Sequence, residues 1–342
     1  MKYFVCLFVL LTIASCFHSS DKKVDIAPVK IIRFDKDLQS FDLKNFESSE
    51  SKMVSKYGDI YSFYIETLMG LGVMKPTTDP YYYGKYLPIF LEGEYAAMMD
   101  SCQKYVIGDI DQIESELTTC YSRLKAHFPE KNPSTIYSFF ISPNSQNAKA
   151  AFSYGNDTIG INWFHYLGKS FPLYQPLYEG YSYMIEWNQK DYIAKNVMLV
   201  EYNLLYDRYR PKEQNSELIY HMIEEGKKYY FLDIVCKDKK DAVKIGYTDE
   251  QYKWCQDNEF DIWAHYKENK LLYSIETMDI KRNVEEGPNT PGMPAQSPGM
   301  VGAWVGWQIV KKYMTTHSVS LKQLIQTSPK DIFNQSAYKP SK

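Results

Sequence analysis

The sequence predicts a mainly α protein with a small β-sheet, an α+β class, on three observations. Apolar residues recur at helical spacing over about 191–209, 216–231, 248–268, 299–315 and 320–327. Branched and aromatic residues concentrate in one central region, 134–167. No internal repeat, low-complexity block or interdomain linker interrupts the 342 residues.

The amino terminus is read as a secretory signal. Met1-Lys2-Tyr3 is followed by an apolar run from Phe4 to Leu11, too short for the roughly 20 residues of a spanning helix. Ile13-Ala14-Ser15-Cys16 then fits the lipobox of bacterial lipoproteins, in which the cysteine thiol takes diacylglycerol before cleavage. Residues 1–15 are therefore expected to be removed and Cys16 to carry the lipid. Two or more acyl chains anchor stably at about 0.8 kcal/mol per buried methylene. Residues 16–28 read as a lipidated polar tether ending at Pro28, and 29–342 as a single domain. Phe17 to Asp25 lack the acidic cluster of many surface-exported lipoproteins, which favours the outer membrane facing the periplasm.

Along the body, Val29 to Phe34 reads as a strand stopped by Asp35. Asp42 and Asp59 are expected to cap two helices, the second (Ile60, Phe63, Tyr64, Leu68) apolar nearly all round and hence buried. Cys102 and Cys120 lie on the apolar faces of the next two helices. If these form an antiparallel hairpin turning near Gly108, the two thiols stand roughly 9 Å apart along the axis, too far to bridge. Both are read as core thiols, with Cys236 and Cys255 left open. The central region contributes a strand at 135–141 and a hairpin, 151–154 and 158–161, joined by Gly155-Asn156-Asp157. Thr248 with Gln251 makes a capping box.

Composition narrows the function classes. The formal net charge is −3 with both signs interspersed, so nucleic acid is not an expected partner. The 31 tyrosines read first as amphipathic fillers and second as a sugar-binding surface. No phosphate loop, nucleophile elbow, calcium loop or Cys/His zinc spacing occurs, and no cofactor is expected.

One constellation tests for a zinc peptidase, whose His-Glu-x-x-His helix supplies two imidazoles and a general base. Val200-Glu201-Tyr202-Asn203-Leu204 has the glutamate and aliphatic residues at both histidine slots. Twenty residues lie between Leu204 and Glu225, which stands where a third ligand would. The frame of a metal site is present without its two imidazoles, so neither metal nor catalysis is expected. Glu201 reads as one half of a structural ion pair, two turns from Arg208. His221 and Glu225, one turn apart, read as a surface contact. Gly226 inside a helix costs about 1 kcal/mol against alanine, which implies a second backbone packed against it.

The chain resembles the gliding-motility lipoproteins of the GldB type. The likeness runs through Ile32-Arg33-Phe34-Asp35-Lys36-Asp37-Leu38, Tyr57-Gly58 to Leu71-Gly72, and Ile159-Gly160-Ile161 leading to Tyr166-Leu167-Gly168. It continues through Met222-Ile223-Glu224-Glu225-Gly226-Lys227, Ile245-Gly246-Tyr247-Thr248, Trp254-Cys255, Ile262-Trp263 and Leu272-Tyr273-Ser274. Ser297-Pro298-Gly299 and Gly302-x-Trp304-x-Gly306-Trp307 close the set. That resemblance implies a degenerate zincin-like metallopeptidase architecture in which Val200 and Leu204 occupy lost histidine positions. It also implies a non-catalytic envelope lipoprotein that supports gliding motility or type IX secretion through protein–protein contacts. Two alternatives stand beside it. One is a carbohydrate-binding lipoprotein stacking sugars on Trp304 and Trp307, although Gly302 and Gly306 favour helix packing. The other is a hydrolase with atypical metal ligands.

Overall fold

The computed structural model describes residues 21–72, 83–141, 143, 145, 148–212 and 216–340. Cys16 and the expected signal lie outside them. The described chain is mainly helical, with one four-stranded mixed sheet in the order β1-β2-β4-β3. β1 (Ile31–Ile32), β2 (Thr135–Phe139) and β4 (Thr158–Asn162) run parallel, and β3 (Ala151–Tyr154) lies antiparallel on β4 with Tyr154 opposite Thr158. No helix among the described residues is long and apolar enough to cross a membrane.

The first strand is shorter than its sequence suggests, and the reason is electrostatic. Asp35 is fully buried, gripped by the Arg33 guanidinium at 2.9 and 2.6 Å and by the Ser138 hydroxyl of β2. This turns the chain inward, so Phe34 begins helix α1 (Phe34–Gln39) instead of ending a strand. Phe34 then packs among Tyr57, Tyr64 and Phe139 at centroid distances below 5 Å. Helix α2 spans Phe46–Tyr57. Asp42 caps a short turn through the Lys44 amide, as expected. Asp59 does not cap: Gly58, at φ +53°, precedes the helix and Asp59 lies in its first turn. The segment from Ile60 to Leu68 is buried on most sides, with its last six residues wound as a π-helix.

Helices α3 (Ala96–Tyr105) and α4 (Ile110–His127) do not pair as the expected hairpin. The main neighbours of α4 are α5 (Ile193–Tyr209) and α6 (Leu218–Val235), whereas α3 rests on the turn Trp163–Tyr166. All four described cysteines are buried thiols; Cys120 stands 3.7 Å from Cys236, not near Cys102. Residues 21–28 lie against α4. Asp21 takes the buried Arg123 guanidinium at 2.8 and 3.0 Å, and Ser122 donates to the Val24 carbonyl. The Val29 and Ile31 amides then donate to Thr118 and Glu114, which closes the outer edge of β1.

The expected helix over 248–268 is broken at Asn258 into α7 (Asp249–Asp257) and α8 (Glu259–Glu268). Its capping box, Thr248 with Gln251, is formed, and a second one joins Ser320 to Gln323. Helix α9 (Val301–Thr316) is the main neighbour of α6. A Cβ on Gly226 of α6 would come within 2.3 Å of the Gly306 backbone, and one on Gly306 within 1.6 Å of the Met222 carbonyl oxygen. The second backbone expected against Gly226 is therefore that of α9.

The same geometry yields a stability prediction. Gly306→Ala gains about 1 kcal/mol of helix propensity but forces the two backbones apart, an overpacking cost of about 3 kcal/mol or more. Urea denaturation should show net destabilisation; an unchanged midpoint would contradict the contact.

Candidate functional site

The zinc-like frame is distributed over two sides of α5. Val200 faces a cavity of about 920 Å³, and Glu225 of α6 borders the same space. Glu201, the next residue along, points about 100° away around the helix and into the core. There it is fully buried, accepting hydrogen bonds from Tyr121 at 2.7 Å and Ser134 at 2.5 Å, and pairing with Lys131 at 2.9 Å. An ion pair was the expected role, but the partner is Lys131, from the segment before β2, rather than Arg208. Arg208 is exposed. Leu204 is half-buried and off the cavity wall.

Glu225 is engaged by Lys228 at 2.6 Å, one turn on, and not by His221. Val200 and Leu204 offer no lone pair to a cation. Among the described residues, no group of three or more His, Cys, Asp or Glu stands ready to hold a metal ion. Of the three carboxylates on the cavity wall, Glu225, Glu285 and Glu286, the first is held by Lys228.

The tryptophan pair is not a sugar platform. Trp304 and Trp307 are 1% and 0% exposed. The Trp307 indole donates to Asp233 at 2.8 Å and lies beneath the Lys311 ammonium, 3.8 Å from the ring centroid. Asp233 also holds the buried Lys244 at 2.9 Å, and Lys244 reaches Asp241 at 2.8 Å. The helix packing anticipated from Gly302 and Gly306 has taken these rings into the core.

The cavity has a different chemistry from the one its frame suggested. Tyr178, Tyr183, Trp187, Tyr192 and Tyr229 form much of its wall. His165 lines it too, with Nε2 2.8 Å from the Ala148 carbonyl oxygen; burial lowers its pKa, so the ring is neutral at pH 7. The unexpected residue is Lys195, two turns before Tyr202 on α5. It is 8% exposed and stands over the Tyr192 ring at 5.0 Å. It enters no hydrogen bond or ion pair among the described residues. Burial pushes its amine down to about 8, with Glu286 across the cavity drawing it back. Burial in turn raises the Glu286 carboxyl, which Lys195 lowers and Glu225 raises. The sequence does contain a signal for Lys195: it sits between Ile193, Ala194, Val197 and Met198, all buried.

The family model described as "Gliding motility protein GldB" matches residues 18–340. No curated protein matches, and no solved structure matches.

Two measurements follow from the geometry. Glu201→Gln leaves the Lys131 cation unpaired beside a buried amide, and unfolding free energy should fall by about 3 kcal/mol. Lys195→Met should have the opposite sign. The Lys195 amine has a folded pKa of about 8, below its ordinary 10.5, so its penalty is complete below pH 8 and fades as pH rises towards 10.5. The methionine variant should be more stable by on the order of 3 kcal/mol at pH 7, with the gap closing by pH 10. A constant gap across that range would contradict the buried cation.

Proposed function

The chain belongs to the gliding motility protein GldB family, and from that premise we propose that it is a non-catalytic lipoprotein of the bacterial envelope. Acyl chains on Cys16 hold it to the outer membrane, facing the periplasm. The folded body supports gliding motility, or machinery associated with type IX secretion, by binding another envelope protein. The cavity between α5 and α6 is where that partner is held. On this reading the fold is a zincin-like peptidase scaffold retired from catalysis.

The observation that carries the reading is the fate of Glu201. A general base must reach a water in the cleft. This carboxylate instead satisfies Tyr121, Ser134 and Lys131 in the core, while Val200 presents a hydrocarbon surface to the cavity. A hydrolase with atypical ligands would need His165, Glu225, Glu285 or Glu286 of the wall to come together, and among the described residues no three such groups are assembled. The sugar-binding alternative loses its stacking pair to burial.

The test uses the full-length protein in its native envelope. p-Benzoylphenylalanine replacing Tyr181, which is 60% exposed at the cavity, should crosslink a specific envelope protein. The same probe at Lys253, away from the cavity, should not. Cys16→Ala should release the protein from the membrane fraction. No position-dependent adduct would count against the partner, and stoichiometric zinc with peptide cleavage lost in Glu201→Gln would overturn the non-catalytic reading.

A further inference from the structure

Lys195 presents a buried cation to a space large enough for a ligand; Glu286 attracts it from across the cavity, but no carboxylate among the described residues pairs with it directly. An ammonium taken out of water without a partner is strongly unfavourable unless an anion or solvent completes it. The other charged groups on the wall do not. Glu225 is engaged by Lys228, Glu286 attracts Lys195 only from beyond ion-pair distance, and His165 is neutral. Glu285 is exposed, and Lys149 and Lys228 also line the wall. An anion entering the cavity would give the Lys195 ammonium the direct partner that these groups do not.

A second feature of the same cavity selects what carries that anion. Ala148 to Ala151, which lead into and begin β3, form part of the wall. β3 is the outer strand, with no strand beyond it among the described residues, although the Ala148 amide and the Ala148 and Ala150 carbonyls are bonded within the chain. The opposite edge, β1, has its amides taken by Thr118 and Glu114. An extended peptide is the ligand that an outer strand recognises through backbone hydrogen bonds, while neighbouring pockets take its side chains.

We propose that the cavity captures the free C-terminal carboxylate of an extended peptide segment, paired with the Lys195 ammonium while the peptide backbone runs beside Ala148–Ala151. This deepens the partner-binding reading above and rests on it. The tyrosine-rich wall takes the last one or two side chains, where aromatic rings give apolar area with little loss of side-chain freedom. A uronic-acid sugar supplies the same carboxylate but makes no use of the outer strand.

The experiment uses the full mature chain and fluorescein-labelled octapeptide pools of randomised sequence, one ending in a free acid and one in an amide. Fluorescence anisotropy should show the acid pool binding at least about tenfold more tightly. Lys195→Met should abolish that preference while circular dichroism and melting show an intact fold. Affinity of the acid pool should fall between pH 7 and 9.5 as the amine loses its proton. Equal binding of both pools, binding of neither, or an acid preference surviving in Lys195→Met would overturn the proposal. So would displacement of the acid pool by a glucuronate oligosaccharide in place of the free-acid peptide. A crosslinked partner found without any acid preference would remove this inference and leave the partner-binding reading standing.

Discussion

The approach of α6 to α9 at Gly226 and Gly306 is the constraint on which the rest of the body depends. No side chain separates the two backbones at the crossing. That contact fixes the rotation of α6, and with it the direction of every neighbouring residue. Glu225 is turned towards the cavity and Tyr229 onto its wall. Lys227 is turned the other way, into full burial, where it meets Glu224 at 3.0 Å and the Thr327 carbonyl oxygen at 2.8 Å. Burial lowers the pKa of the Lys227 amine, and the Glu224 carboxylate opposes that shift. A close helix crossing thus sets both a structural cation and the face of a binding cavity.

The motifs that mark the family serve mainly to hold this frame. Arg33 and Asp35 anchor the first helix to the sheet, and Tyr95 adds a hydrogen bond to the Asp35 carbonyl. Tyr247 donates to the Gly299 carbonyl oxygen at 2.6 Å, tying the turn before α7 to the loop before α9. Apart from Glu225, Ile245 and the cavity-end residues of α6, the wall comes largely from other stretches, chiefly 178–203. The recognisable sequence and the candidate binding surface are therefore mostly different residues. A likeness across 18–340 speaks more directly to the scaffold than to what the cavity holds.

What could be read from the sequence was local or backbone-driven. A glycine inside an apolar helix signals close approach because it carries a propensity cost, and Thr248 with Gln251 signals a helix start through two side-chain bonds three residues apart. Side-chain direction across distant segments was harder. The spacing of Val200, Glu201, Leu204 and Glu225 brought Val200 and Glu225 to one cavity, but it could not reveal that Lys131 draws Glu201 to the opposite side. Trp304 and Trp307 share a helix face, which suits stacking only if that face is exposed; Asp233, 71 and 74 residues earlier, lies in the core beside Trp307. The tyrosines were read correctly in kind. Tyr64, Tyr121 and Tyr266 bury their rings and spend each hydroxyl on one interior acceptor.

The docking of Asp21 on Arg123 bears on how the body can stand at a bilayer. With Cys16 acylated as proposed, four residues, 17–20, separate the lipid-bearing position from Asp21, which is docked on Arg123. Five residue steps reach at most about 17 Å when fully stretched. On that proposal α4 would be held within this distance of the lipid. A companion molecule would have to come to the bilayer surface to meet it.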